Sequence, residues 1–253
     1  MAIVIGIVLG LLSGSFLSVL VGRWETKEGI IAGRSECPDC KHTLAWYDLI
    51  PLVSWLMLSG KCRYCRLPIS LRYPLMELVM AGTLGIYAWR YGLTTFWALS
   101  DVVILFGLVA LFFFDLRWHV LPDAVTFPLI VVALARLLWL RPDLLVNGIA
   151  TGSVLAVLLG LLYLVSHGTW LGFGDVKFAF TVGILFGYPG AVGVTLIAIW
   201  IGALFGVVLI ALHRATMKTA LPFGSFWSAV AVLAVLWPVP VFYLSGLFTP
   251  ALR

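Results

Sequence analysis

Long uncharged apolar runs alternate with short charged breaks along this chain. Met1 to Gly22 carries no charge and is long enough to cross a bilayer at about 20 residues per span. From Tyr73 onward the chain is almost continuously apolar, punctuated by Pro, Gly and scattered charges. These breaks predict further spans near Tyr73–Trp89, Thr95–Phe114, Val120–Leu140, Leu144–Ser166, Gly172–Gly187, Ala191–Leu212 and Phe226–Leu247. With the first, that makes about eight. The run Gly172–Gly187 is short and ends at Tyr188-Pro189-Gly190, as expected of a short or partly re-entrant helix. No internal repeat and no low-complexity tract interrupts the pattern.

Arg23 to Arg72 is different material. These 50 residues hold eight of the sixteen Lys and Arg, five of the eleven Asp and Glu, and all four cysteines. The expected organisation is a first transmembrane helix (1–22), a cytoplasmic module (23–72) and a transmembrane domain (73–253).

Composition narrows the class. Hydrophobic residues make up 62% of the 253, charged residues 11%, and the mean hydropathy is +1.11. A soluble domain is about 45–50% apolar and about 25% charged. A soluble enzyme, a disordered chain, collagen and a coiled coil are excluded. So is an outer-membrane barrel, whose strands alternate. The fold class is an all-α polytopic membrane protein. With the charged module inside and the spans alternating, twelve basic residues fall inside. Only Arg90, Arg136, Arg141 and Arg253 fall outside. This agrees with the positive-inside rule and puts the N-terminus outside the cytoplasmic membrane. The formal charge of +5 therefore reports topology, not nucleic acid.

Cys37-Pro-Asp-Cys40 and Cys62-Arg-Tyr-Cys65 are two knuckles with 21 residues between them. Each turns two sulfurs toward one point, and together they complete a tetrahedral shell for structural zinc. A segment this short builds little core, and a metal supplies the missing stability. Two disulfides or a redox pair are the alternatives, and a cytoplasmic location disfavours the former. The module is therefore expected to be zinc-ribbon-like, with all four positions closed.

Acidic residues near the membrane are few: Glu77, Asp101, Asp115, Asp123, Asp143 and Asp175. Charge there is costly and marks function by default. Asp101 and Asp143 fall near outer span ends, where water reaches them. Asp123 follows Pro122 in a normal helix start. Glu77 either pairs with Arg72 or belongs to a second site. Asp115 ends one span and Asp175 begins another, in Gly172-Phe-Gly-Asp-Val-Lys177, at the same depth and face. Two carboxylates in one low-dielectric cleft share a proton. That is acid–base chemistry suited to peptide hydrolysis, although a structural pair or a proton relay fits the spacing too. His42, His119, His167 and His213 show no ligand spacing. Eleven tryptophans suit interfacial anchoring, and Gly202 and Gly206 suit close helix packing.

These motifs together resemble the type IV prepilin peptidases, bifunctional leader peptidases and N-methyltransferases of the GxGD aspartic class. Gly14-Ser-Phe-Leu-Ser-Val19 is similar to their GSFLNV signature, with Ser18 where Asn is usual. The cysteine knuckles, Trp46-Tyr-Asp-Leu-Ile-Pro-Leu-Val-Ser-Trp55 and Pro68-Ile-Ser-Leu-Arg-Tyr-Pro-Leu-Met-Glu77 follow in family order. Asp115-Leu-Arg-Trp-His-Val-Leu-Pro-Asp123 resembles the first aspartate motif and Gly172-Phe-Gly-Asp-Val-Lys177 the second. The resemblance implies catalytic Asp115 and Asp175, a supporting Asp123, and structural zinc on Cys37, Cys40, Cys62 and Cys65. It implies that the partners are the bilayer and the basic leaders of type IV prepilins and pseudopilins. Those leaders are cut after Gly at the cytoplasmic face. The new N-terminal residue is then methylated from S-adenosylmethionine, with Gly60, Lys61 and Glu77 placed near that activity. A transporter using the same acids as a proton relay is the competing reading, and a pilus-assembly scaffold a third.

Overall fold

A computed structural model describes residues 1–24, 34–216 and 219–237. Lys27, Lys218 and Arg253 of the charge count, and residues 238–247 of the expected last span, lie outside them. The described elements are helical: α1 (Ala2–Gly22), α2 (Val53–Met57), α3 (Arg72–Tyr91), α4 (Phe96–Trp118), α5 (Asp123–Leu140), α6 (Leu145–Val165), α7 (Phe173–Ala211) and α8 (Phe223–Leu236). Among the described residues the only β pairing is two isolated bridges, Glu36 with Thr43 and Lys61 with Pro68. Five helices, α1 and α4 to α7, are long and apolar enough to cross a membrane on length and composition alone. The chain separates into two compact units, Met1–Leu93 and Thr94–Arg253.

In the first unit α1 and α3 pack antiparallel along their length. Helix α3 carries Arg72, Glu77 and Arg90, yet its 20 residues reach about 30 Å, the thickness of a bilayer core. The pairing rests on Gly6, Gly10 and Gly14, one stripe of α1 at four-residue spacing. A methyl group at Gly10 would lie 2.5 Å from Ala81 Cα, and one at Gly14 2.6 Å from Glu77 Cα. Where lipid gives no hydrophobic drive between helices, such close backbone approach is the main source of attraction. The stronger small-residue signal is thus in α1. In α7, Gly202 and Gly206 face only side chains of Phe226 and Leu221.

In the second unit α4 packs against α5 and α8, and α7 against α5, α6 and α8. Ile104, Leu105, Leu108 and Leu111 line the fully buried face of α4. The two spans expected at 172–187 and 191–212 form one element broken where the pattern placed the boundary. Gly187 has φ 56° and Tyr188 is extended, so two backbone groups lose their helical partners. Asn147 of α6 replaces them. Its Oδ1 accepts the Tyr188 N–H at 2.7 Å and its Nδ2 donates to the Tyr188 carbonyl at 3.2 Å.

Two expectations are corrected here. Asp101 is not at a wet helix end: it is buried against Arg136, Nη1 to Oδ1 2.7 Å, with both side chains less than a tenth exposed. Arg136 therefore neutralises an acid inside the helix packing instead of marking an outer loop. Asp143 does lie exposed, paired with Arg141 at 2.9 Å. Three histidines have a backbone role. His119, His167 and His213 follow α4, α6 and α7 with φ of 51°, 49° and 55°, the left-handed turn that ends a helix.

Candidate functional site

The cysteine module is built from two copies of one turn. Cys37 and Cys62 carbonyls accept the Lys41 and Arg66 N–H groups at 2.9 and 3.0 Å. Lys41 and Arg66 are both left-handed, φ 57° and 63°. The Cys37 and Cys62 N–H groups bond across each turn to His42 and Leu67 carbonyls. Each turn carries its bridge one residue before the first cysteine and three after the second. The four sulfurs lie within 4.8 Å of one another, with Cys37 and Cys65 at 3.9 Å. A zinc tetrathiolate with bonds of about 2.3 Å has sulfur–sulfur edges of about 3.8 Å, so the donor set fits. The Cys65 N–H, acting against burial, draws the Cys62 thiol down to about 7. The Leu67 N–H favours the Cys65 thiolate, but burial and the neighbouring thiols push Cys65 up to about 12. Unscreened, four thiolates cannot ionise together, which is the charge a divalent cation neutralises.

Asp48 ties the connecting segment to the second knuckle. It accepts from Arg63 Nε at 2.7 Å, the Tyr64 hydroxyl at 3.2 Å and the Ala45 N–H at 3.3 Å. Glu77 takes its partner from Leu52, whose N–H it accepts at 2.8 Å, not from Arg72. Gly60, with φ 69°, lies against the Trp55 ring, where a methyl group would come to 2.8 Å.

In the second unit the carboxylates expected to act together converge. Asp115, in the last turn of α4, is buried. Its Oδ2 accepts the Ser225 N–H at 2.6 Å and the Ser225 hydroxyl at 2.9 Å. Ser225 is in the first turn of α8, where backbone donors lack helical partners, so the acid occupies a helix N-terminus. Asp175 occupies the N-terminus of α7, its Oδ2 accepting the Gly172 N–H at 3.2 Å. Leu121 lies between. A methyl group at Gly174 would meet Leu121 Cβ at 3.1 Å, and one at Gly224 would meet Leu121 Cδ2 and Asp115 Cγ, each at 3.0 Å. Glycine at both positions lets the starts of α7 and α8 close on the 119–122 turn. The Asp115 and Asp175 carboxylates are near enough for their charges to interact. Asp123 begins α5 behind Pro122 and pairs with Lys177, whose ammonium also faces the Phe127 and Phe173 rings.

Residues 8–91 match the bacterial peptidase A24 N-terminal domain, and residues 102–207 match the type IV leader peptidase family. The prepilin leader peptidase/N-methyltransferase of Stutzerimonas stutzeri is 30% identical over 91% of this chain and 89% of that protein. That of Pseudomonas aeruginosa is 32% identical over the same shares. That of Myxococcus xanthus is 36% identical over 84% of this chain and 64% of that protein. The chain belongs to the type IV leader peptidase family. No solved structure matches it. The two peptidase-family segments divide the chain much as its contacts do: the first ends at residue 91, two before the end of the first compact unit.

For this leader-peptidase chain, sequence reasoning missed Ser225, Gly224 and Asn147. Ser225 had a signal: Pro222-Phe-Gly-Ser225 opens the last apolar run on the face that carries Asp115 and Asp175. Asn147, an amide in an apolar run of membrane length, had one too.

Proposed function

We propose that this multi-pass protein cleaves the leaders of type IV prepilins and pseudopilins, with Asp115 and Asp175 as its catalytic pair. The observation that supports this most is that two acids, from α4 and α7, each sit on a helix N-terminus and flank the same turn at Leu121. One carboxylate takes a proton from water as the water attacks the carbonyl carbon of the scissile bond. The other gives its proton to the carbonyl oxygen. Collapse then passes a proton to the leaving amine, and the pair returns to sharing one proton. Lys177 on Asp123 holds a third acid in a neutral pair beside this dyad. Cleavage after the leader Gly suits a site at the membrane face, where α4 ends and α7 begins.

The names of the relatives support a second step, N-methylation of the exposed residue from S-adenosylmethionine. In this reading zinc on Cys37, Cys40, Cys62 and Cys65 locks the two knuckles together and leaves no position open for substrate. The N-terminus lies outside and the module inside the bacterial cytoplasmic membrane. Co-expression with a prepilin tests the assignment by gel shift and N-terminal mass. The unmodified chain removes the leader and adds one methyl, and Asp175→Asn at equal membrane abundance leaves the leader attached. Equal cleavage by both proteins removes Asp175 from the mechanism.

A further inference from the structure

The cysteine module contains a stretch whose chemistry is at odds with the rest of it. Between Asp48 and Lys61 twelve consecutive residues carry no charge. They form the turn at Ile50–Leu52 and helix α2. Met57 is 79% exposed and Leu56 66%, and Ile50 and Val53 are exposed beside them. In water, a cluster like this would be a liability.

Its depth is fixed by two contacts. The Leu52 N–H donates to Glu77, five residues into α3. Glu77 in turn lies against Gly14, eight residues before the end of α1, where a methyl group would come to 2.6 Å from Glu77 Cα. At 1.5 Å per residue these positions lie roughly 7–12 Å inside the ends of both helices. Arg23 and Arg72 mark those ends. The turn thus reaches past the charged rim to the depth at which interfacial helices bury their apolar faces, about 5–10 Å.

Most of the backbone of the turn is provided for in the same sense. Val53, Ser54 and Leu56 donate to the carbonyls of Pro51, Ile50 and Leu52, and Leu58 and Gly60 to those of Ser54 and Trp55. The Ser54 hydroxyl doubles the bond to the Ile50 carbonyl. Pro51 has no N–H to satisfy. Leu52 has one, and the buried Glu77 carboxylate accepts it. A turn bathed in water would need no acid for that purpose, whereas one in lipid must find every partner within the protein.

We propose that Ile50–Met57 is an interfacial wedge, seated in the bilayer leaflet on the module's side with Leu56 and Met57 among the acyl chains. The wedge sets the height of the cysteine knuckles above the membrane, and exposed Lys61 and Arg66 follow it toward the headgroups. Full-length protein carrying a fluorescent amino acid at position 57, 56 or 39 is reconstituted in phosphatidylcholine–phosphatidylglycerol vesicles with acyl chains brominated at set depths. Zinc content serves as the check of folding for each variant. At positions 57 and 56 shallow bromines quench at least about threefold more than at position 39, and aqueous iodide quenches less. Iodide quenching at 56 and 57 equal to that at 39, with no effect of bromine, overturns the wedge. So does protection that arises only when a prepilin is added, since the face then receives substrate and not lipid. These readings use no enzymatic activity, so they stand apart from the proposed cleavage.

Discussion

The cysteine knuckles and the aspartate pair are both four-part constructions, but they are assembled over different distances. A knuckle closes within about ten residues, by the same bonds twice, and its ligands are spaced along the chain as they are in space. The aspartate site draws Asp115, Leu121, Asp175 and Ser225 from positions up to 110 residues apart. Little core surrounds the first kind of site, and the proposed zinc would supply the stability that core does not. The second sits in helix packing that its acids do not have to build, since α8 is packed against both α4 and α7. Removing a part should therefore unfold the one and merely silence the other.

The largest effect is expected at the knuckles. Structural zinc contributes on the order of 10 kcal/mol to small metal-dependent modules. Cys62→Ser should take bound zinc from about one ion per chain to nearly none, measured by metal analysis of the purified protein. Methylation of a co-expressed prepilin should fall with it, while leader cleavage stays within about tenfold of normal. Cleavage that disappears together with the zinc would break the comparison, showing that the two sites work as one.

At the aspartates, Asp115→Asn or Asp175→Asn should lower leader cleavage by about 10²–10⁴-fold, roughly 2.7–5.5 kcal/mol of barrier. Zinc content and membrane abundance should not change. A variant that also loses its fold would place these acids with the structural pair Asp101–Arg136 instead.

Ser225→Ala sharpens the same site. It keeps the backbone N–H on Asp115 and removes the hydroxyl, a hydrogen bond to a charged group worth about 1.5–3 kcal/mol. Cleavage should fall roughly tenfold or somewhat more, in kcat and not in KM, because the serine orients the acid and does not hold the leader. Ser225→Thr should restore most of it. A change confined to KM would make Ser225 a substrate contact.

The same contrast in distance explains what was legible in the sequence. The knuckles could be read because each is local: the spacing within a knuckle is the structure. The break in α7 was legible for a similar reason, since Tyr188-Pro189-Gly190 cannot continue a helix whatever surrounds it. Asp115 and Asp175 were legible only through topology, which gives depth and face but not neighbours. The partners of buried charges were not legible. Arg136 looked like an outer-loop charge and Asp101 like a wet helix end. Their pairing depends on how α4 packs against α5, and periodicity says nothing about that. The sequence leaves Glu77 between two roles because its acceptor bond goes to a backbone N–H, which every residue but proline has. The Gly6, Gly10 and Gly14 stripe is readable in the sequence, and three glycines at one spacing are a longer signal than the two at Gly202 and Gly206.

The smallest expected effect tests whether anything besides metal holds the knuckles. Burial opposes the charge of Asp48, but the bonds from Arg63, the Ala45 N–H and Tyr64 outweigh it and hold its carboxyl below the ordinary range. A depressed carboxyl stabilises the fold above its unfolded value of about 3.9, and that stability is lost as pH falls through the lower folded value. Asp48→Asn should therefore lower the unfolding midpoint of the zinc-loaded module by about 2–5 °C at neutral pH. The gap should begin to close below about pH 4, where the unfolded carboxyl takes up its proton, and vanish once the pH has fallen below the lower value of the native Asp48. The readout is amide exchange over residues 37–66 in the full chain, compared between the two proteins at each pH. That comparison cancels the release of zinc that acid causes in both. Half the Arg63 side chain is wet, so high salt should narrow the neutral-pH gap as well. If the gap persists unchanged at low pH, the carboxylate charge is not what Asp48 contributes.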